Sequence, residues 1–173
     1  NVRNVPEALA AYLRPESIRM FKKLGVLDER ELHGRVEVEY EKFVKKVQIE
    51  SRVLGDLAIN HIVPVAVRYQ TMLLQNVKNL QEVFSGEEYE ELASGRKQLI
   101  KEIGAHISLI KSKVHDMTEA RKKANVLEDN VEKAEAYDQT VFPFLDEIRY
   151  HIDKLELVID NEMWPLPKYR ELL

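Results

Sequence analysis

The chain contains no cysteine, which removes disulfides, thiolate zinc sites and a cysteine nucleophile together and suits a reducing cytoplasm. Glycine is scarce, six in 173 residues, and no GxGxxG, GxxxxGK[ST] or GxSxG motif occurs. The sequence therefore offers no loop to cradle a phosphate and no nucleophile elbow. No run of about 18 apolar residues is present, the length a membrane-crossing helix needs. The opening NVRNVPEALAAYL has neither the order nor the length of a signal peptide. A formal net charge of -4 gives no general attraction to nucleic acid. The expectation is a cytoplasmic chain that engages neither membrane nor nucleic acid.

What the chain does have is a balance of 45% hydrophobic and 32% charged residues, typical of a folded protein with a packed core. Its length suits one domain plus an appendage. Charge is unevenly spread. Residues 51–85 hold only three basic and two acidic residues, whereas residues 127–173 hold five and twelve. Such charge runs ordinarily mark solvated helix faces.

Periodicity predicts helix almost throughout. DERE at Asp28–Glu31 has the form of a capping box and should start a helix. Apolar residues then recur, mostly at steps of three and four, through Tyr40, Phe43, Val44, Val47, Leu54, Leu57, Ile62, Val65, Tyr69, Met72, Leu73, Val77 and Leu80, which is helical spacing rather than strand alternation. After FSGEEYEEL a heptad seam runs Ile100, Ile103, Ile107, Ile110, Val114, Met117, and after NVLEDN a third series runs from Val131 to Ile159. The expected fold class is all-α: an antiparallel bundle of three long helices near 43–84, 87–124 and 128–160, preceded by short helices. Short connections require each helix to turn straight back. Pro64 and Pro143 each remove one amide donor inside a helix, so both predict a kink. Pro6, Pro15 and Gly25 bound two short front helices too small to fold alone. Two regions are expected: residues 1–40, and a helical bundle over residues 41–173.

Candidate chemistry is sparse. In QIESRVLGDLAINHIVPVAVRYQ, Glu50, Asp56 and His61 are residue types that suit a divalent ion. Glu50 and His61 share one helix face and Asp56 and Asn60 another, so they do not converge. His61 reads as a partly buried core histidine with a local hydrogen-bond partner, and Glu50, Arg52 and Asp56 as helix-surface or inter-helix pairs. His33, His106, His115 and His151 lack HExxH-type spacing. No catalytic, cofactor-binding or metal-binding residue is assigned. The helix from Val53 to Leu80 carries apolar residues beyond a single stripe, including Val63, Ala66, Val67 and Leu74, and is expected to be buried on more than one side. The front helices and a fold-back of the Trp164 segment are candidates to cover it.

NVPEAL, KVQIESRVLGDLAINHIVPVAVRYQ and NEMWPLPKYRELL resemble, in order and spacing, the C-terminal end of type III glutamine synthetase, the long bacterial form. The first fifty residues are also similar to the closing helices of glutamine synthetase catalytic domains. The resemblance implies a parent enzyme that makes glutamine from glutamate, ammonia and ATP with magnesium or manganese. It implies that residues 1–40 are tail helices of the catalytic domain and that 41–173 form an accessory domain with a structural or oligomerisation role. The family's catalytic and ligand-binding motifs have no matching positions here, so no cofactor is implied for this chain and alone it is expected to be inactive. Its implied partners are the upstream catalytic domain and further copies of itself. A stand-alone helical interaction module, binding a partner helix on residues 53–80, is the other reading.

Overall fold

The computed structural model describes residues 2–168 and residue 171. Asn1, Tyr169, Arg170, Leu172 and Leu173, and with them part of the closing NEMWPLPKYRELL segment, lie outside the described residues. Among the described residues the order is α1 (Val5–Tyr12), α2 (Pro15–Lys23), α3 (Glu29–Leu57), a π-helical turn (Ala58–Ile62), α4 (Val63–Val83), α5 (Gly86–Val126), α6 (Asn130–Ala136), a second π-helical turn (Tyr137–Val141) and α7 (Phe142–Val158). No strand occurs among them, so the fold is all-α, as the periodicity implies. None of these helices is long and apolar enough to cross a membrane.

Local chemistry accounts for the helix ends. Asn4 Oδ1 accepts from the Glu7 amide at 2.9 Å and Pro6 occupies the first turn of α1, where a missing N–H costs nothing. Gly25, at φ 64°, ends α2 by letting the Val26 amide reach back to the Phe21 carbonyl, a conformation a Cβ would oppose. The capping box forms as read: the Glu31 amide donates to Asp28 Oδ1 at 2.8 Å and the Asp28 amide to Glu31 Oε2 at 2.9 Å. The helix starts at Glu29, as the capping box implies, and is continuous with the rod placed near 43–84, because Leu32, Val36, Tyr40, Val44 and Val47 form one continuous buried stripe that carries the helix past Gly34.

The chain forms two compact units. The first comprises Asn1–Val53 and Asp116–Leu145, the second Leu54–His115 and Asp146–Leu173. In the first unit Val36, Tyr40, Val47, Met117, Tyr137 and Val141 are core residues. The front helices are tied in: the Tyr40 hydroxyl donates to the Pro6 carbonyl at 3.2 Å, and Asn4 Nδ2 to Asp138 Oδ2 at 2.6 Å. Asp129 caps α6 by accepting from the Val131 and Glu132 amides. In the second unit Ile62, Ala66, Ile103, Ile110, Ile148 and Leu155 are buried. Only Phe84 and Ser85 separate α4 from α5, so the two are antiparallel neighbours, and Gln70 Nε2 donates to the Ile100 carbonyl at 2.8 Å. An added Cβ at Gly104 would stand 3.0 Å from that same Nε2, so the glycine makes room for the clamp.

Each interior proline sits two positions past the last residue of a π-helical turn. The Val63 amide bonds to the Ala58 carbonyl and the Phe142 amide to the Tyr137 carbonyl, both i→i+5. Pro64 and Pro143 lack the N–H that would have met Asn60 and Gln139, and their rings would clash with those carbonyls in an α-turn. One extra residue in the turn moves the carbonyls aside without ending the helix.

Candidate functional site

Two of the residues that suggested a metal in the sequence, Glu50 and Asp56, have local partners instead. In the first unit Glu50 lies 3.9 Å from Lys46, one turn away on α3. In the second, Asn60 Nδ2 donates to Asp56 Oδ1 at 2.6 Å. His61 is exposed, which corrects its reading as a partly buried core histidine: the π-helical turn that carries it buries Ala58 and Ile62 and leaves His61 to solvent. His33 and His115 are exposed as well.

The second unit brings together two histidines that the sequence separates by 45 positions. His106 on α5 and His151 on α7 approach Nδ1 to Nδ1 at 3.0 Å, with ring centroids 5.2 Å apart. At that distance one nitrogen must carry the proton and the other accept it. Burial holds His151 below its ordinary value, the His106 and Lys113 charges push the same way, and Glu147 opposes them. Lys113 Nζ and Glu147 Oε2 form an ion pair at 2.5 Å on the same two helices. The contacts 106 with 151 and 113 with 147 run in opposite directions along the chain, which sets α5 and α7 antiparallel. The pair can share a proton, and charging both rings is unfavourable. No three or more His, Asp or Glu come together as a metal-holding group among the described residues. A signal for the pair existed: each histidine directly precedes an apolar-series residue, Ile107 and Ile152, and so flanks the packed face of its helix.

The end of the chain folds back within the second unit. Trp164 is 7% exposed. Lys168 Nζ donates to the carbonyls of Glu156 at 2.7 Å and Ile159 at 3.1 Å, satisfying groups that the end of α7 leaves open. The apolar surplus on α4 divides. Ala66 is fully buried, in keeping with the expectation that the helix is covered beyond one stripe, whereas Val67 and Leu74 remain 44% and 51% exposed. The expectation that this helix is covered on more than one side therefore does not hold at Val67 and Leu74.

Residues 1–81 match the family described as Glutamine synthetase C-terminal domain. Over all 173 residues the chain is 58% identical to a glutamine synthetase of Bacteroides fragilis. It is 24% identical over the same span to a type-3 glutamine synthetase of Dictyostelium discoideum, and 25% identical to a glutamine synthetase of Butyrivibrio fibrisolvens. In each comparison the whole of this chain is covered, and it spans 24% of the relative's length.

Proposed function

We propose, for a chain that belongs to the glutamine synthetase family as its C-terminal region, that it is the helical accessory domain of a type III glutamine synthetase. The observation that carries this reading is similarity along every residue of the chain to proteins about four times its length, one of them named type-3. Residues 1–40 act as tail helices of the catalytic domain and residues 41–173 as the appended helical domain. The parent reaction is condensation of glutamate and ammonia to glutamine with ATP. Magnesium or manganese and the nucleotide belong to residues outside this chain. The donor set here does not fit those groups: His106 and His151 supply two nitrogens, and no third His, Asp or Glu completes a metal-holding group among the described residues. No step of that reaction is routed through this chain, whose contribution is structural, in the cytoplasm, within a homo-oligomer.

The decisive experiment compares the full-length enzyme with a form truncated after the residue equivalent to Tyr40. The accessory reading expects altered stability or oligomer size, with the glutamate KM of any assembled enzyme within about threefold, since uniform substrate binding would be untouched. Loss of glutamate binding in a correctly assembled truncation counts against it. The exposed Val67 and Leu74 also favour a second reading, a helical interaction module that acts without a catalytic partner. Glutamine-forming activity in the full-length protein rejects that alternative.

A further inference from the structure

In the first unit the seam between α3 and α5 carries two arginines that the family role leaves unexplained. Asn130, just past the end of α5, donates to Glu37 at 3.3 Å, and Gln48 donates to Asn125 at 3.2 Å. Partner numbers fall as α3 advances, so the two helices run antiparallel there. Arg52 stands one turn beyond Gln48 on α3, and Arg121 one turn before Asn125 on α5. Residues four apart share a helix face, which sets the turn of Arg52 opposite the turn of Arg121.

Tyr137 forms the floor of this seam. It is fully buried and its hydroxyl donates to Asn125 Oδ1 at 2.7 Å. Both arginine charges reach that hydroxyl: burial pushes it above its ordinary value, while Arg121, Gln48, Arg52 and Asn125 pull it down. Arg52 is exposed and Arg121 half-buried, so the seam opens to solvent. Lysines on the same two helices lie against glutamates of their own helix, Lys46 against Glu50 and Lys122 against Glu119. Neither Arg52 nor Arg121 forms an ion pair among the described residues. Two guanidiniums that face each other over a neutral floor repel, and an oxyanion between them removes the repulsion.

We propose that Arg52 and Arg121 form a clamp for a phosphate group, either inorganic phosphate or the phosphate of a small ester. The planar forks of two guanidiniums match phosphate oxygens in shape, and their two charges match a dianion. A single carboxylate would leave one guanidinium unbalanced. Asn125 supplies a further donor, because the two bonds its Oδ1 accepts leave its Nδ2 hydrogens for the ligand.

The full chain, labelled with nitrogen-15, is titrated with inorganic phosphate and with glycerol phosphate, against sodium chloride at equal ionic strength. Saturable shifts of the Arg52 and Arg121 Nε–H resonances are expected, with a midpoint on the order of 1 mM. Glycerol phosphate should bind more weakly at pH about 5.5 than at about 7.5, since a phosphate ester gains its second charge near pH about 6. Acetate should bind about tenfold or more weakly than either phosphate, the size of one charged hydrogen bond. Arg52→Gln, at an exposed position, and Arg121→Gln should each weaken phosphate by a similar factor, with helix content checked by circular dichroism. Saturation by either phosphate supports the clamp, and the tighter of the two names its source as ester or free phosphate. Shifts that fail to saturate, or that chloride reproduces, overturn the proposal. So does acetate binding as tightly as phosphate, and so does a folded Arg52→Gln chain with unchanged affinity. Should Arg121→Gln not fold, Arg52→Gln and the ligand series decide.

Discussion

Among the described residues, buried side-chain nitrogen and oxygen atoms other than Trp164 Nε1 have hydrogen-bond partners, and the cost of removing one follows from its geometry. Tyr137 is fully buried, and its hydroxyl donates to Asn125 Oδ1 at 2.7 Å, where Gln48 Nε2 also donates at 3.2 Å. Tyr137→Phe keeps the ring in the core and loses one bond whose acceptor is exposed to water. Urea unfolding should therefore show a loss of about 1 kcal/mol, against about 3 kcal/mol or more for Tyr137→Ala. The paired histidines set a pH dependence. Because His151 is held below its ordinary value of 6.5, the unfolded chain binds more protons than the folded one as pH falls below that value, and stability drops with it. The groups facing His151 are His106, Lys113 and Glu147. The stabilisation is intact above pH about 6.5 and is lost as pH falls through the lowered folded value. The melting temperature should thus fall more between pH about 7.5 and about 5.5 in the native chain than in His151→Gln. An identical fall in both would remove His151 from the account. Neither feature was legible as such in the sequence: Tyr137 lies outside the apolar series that was read, and the histidines meet only because α5 and α7 pack side by side.

At the scale of the elements, the two π-helical turns show how a helix accommodates proline without breaking. Ala58 and Ile62 before Pro64, and Val65 and Ala66 after it, are all buried, so the core fixes the phase of the helix on both sides of the turn. A single deletion of Asn60 should restore α-helical continuity while keeping both buried sets in place, except that the Pro64 ring would then clash with the preceding turn. The deletion alone is expected to lower stability by about 2 kcal/mol or more, and Pro64→Ala added to it should recover most of that loss. If the double variant is no more stable than the single one in thermal unfolding, proline avoidance is not why the wide turn exists. The sequence placed both distortions at the right residues, since proline chemistry is local. It did not give their form, because whether a helix bends or inserts a residue depends on which side chains the core must keep in phase.

For the molecule as a whole, the open question is what meets the exposed apolar residues of α4. Val67 and Leu74 lie one above the other, seven positions apart, and both are about half exposed. Val67→Lys with Leu74→Lys should therefore change the stability of the chain by no more than about 0.5 kcal/mol, as for ordinary surface positions. If a second copy covers this face, the same pair should lower the sedimentation coefficient of the chain at micromolar concentrations. A monomeric native chain at high concentration would remove α4 from assembly.

The sequence by itself determined the class of the fold, the capping box at Asp28, the ends of the short front helices and the positions of the proline distortions. Each of these depends on residues within one or two turns of one another, where hydrogen bonding and steric exclusion act without reference to the rest of the chain. It also carried the family, because long matched stretches survive independently of any site chemistry. Only the tertiary structure decided that Ala66 belongs to the core while Val67 and Leu74 do not, that His106 meets His151, and that Trp164 is buried with its indole N–H unmatched among the described residues. Those outcomes depend on which helix faces which, and apolar periodicity gives the face of a helix without naming the neighbour that covers it.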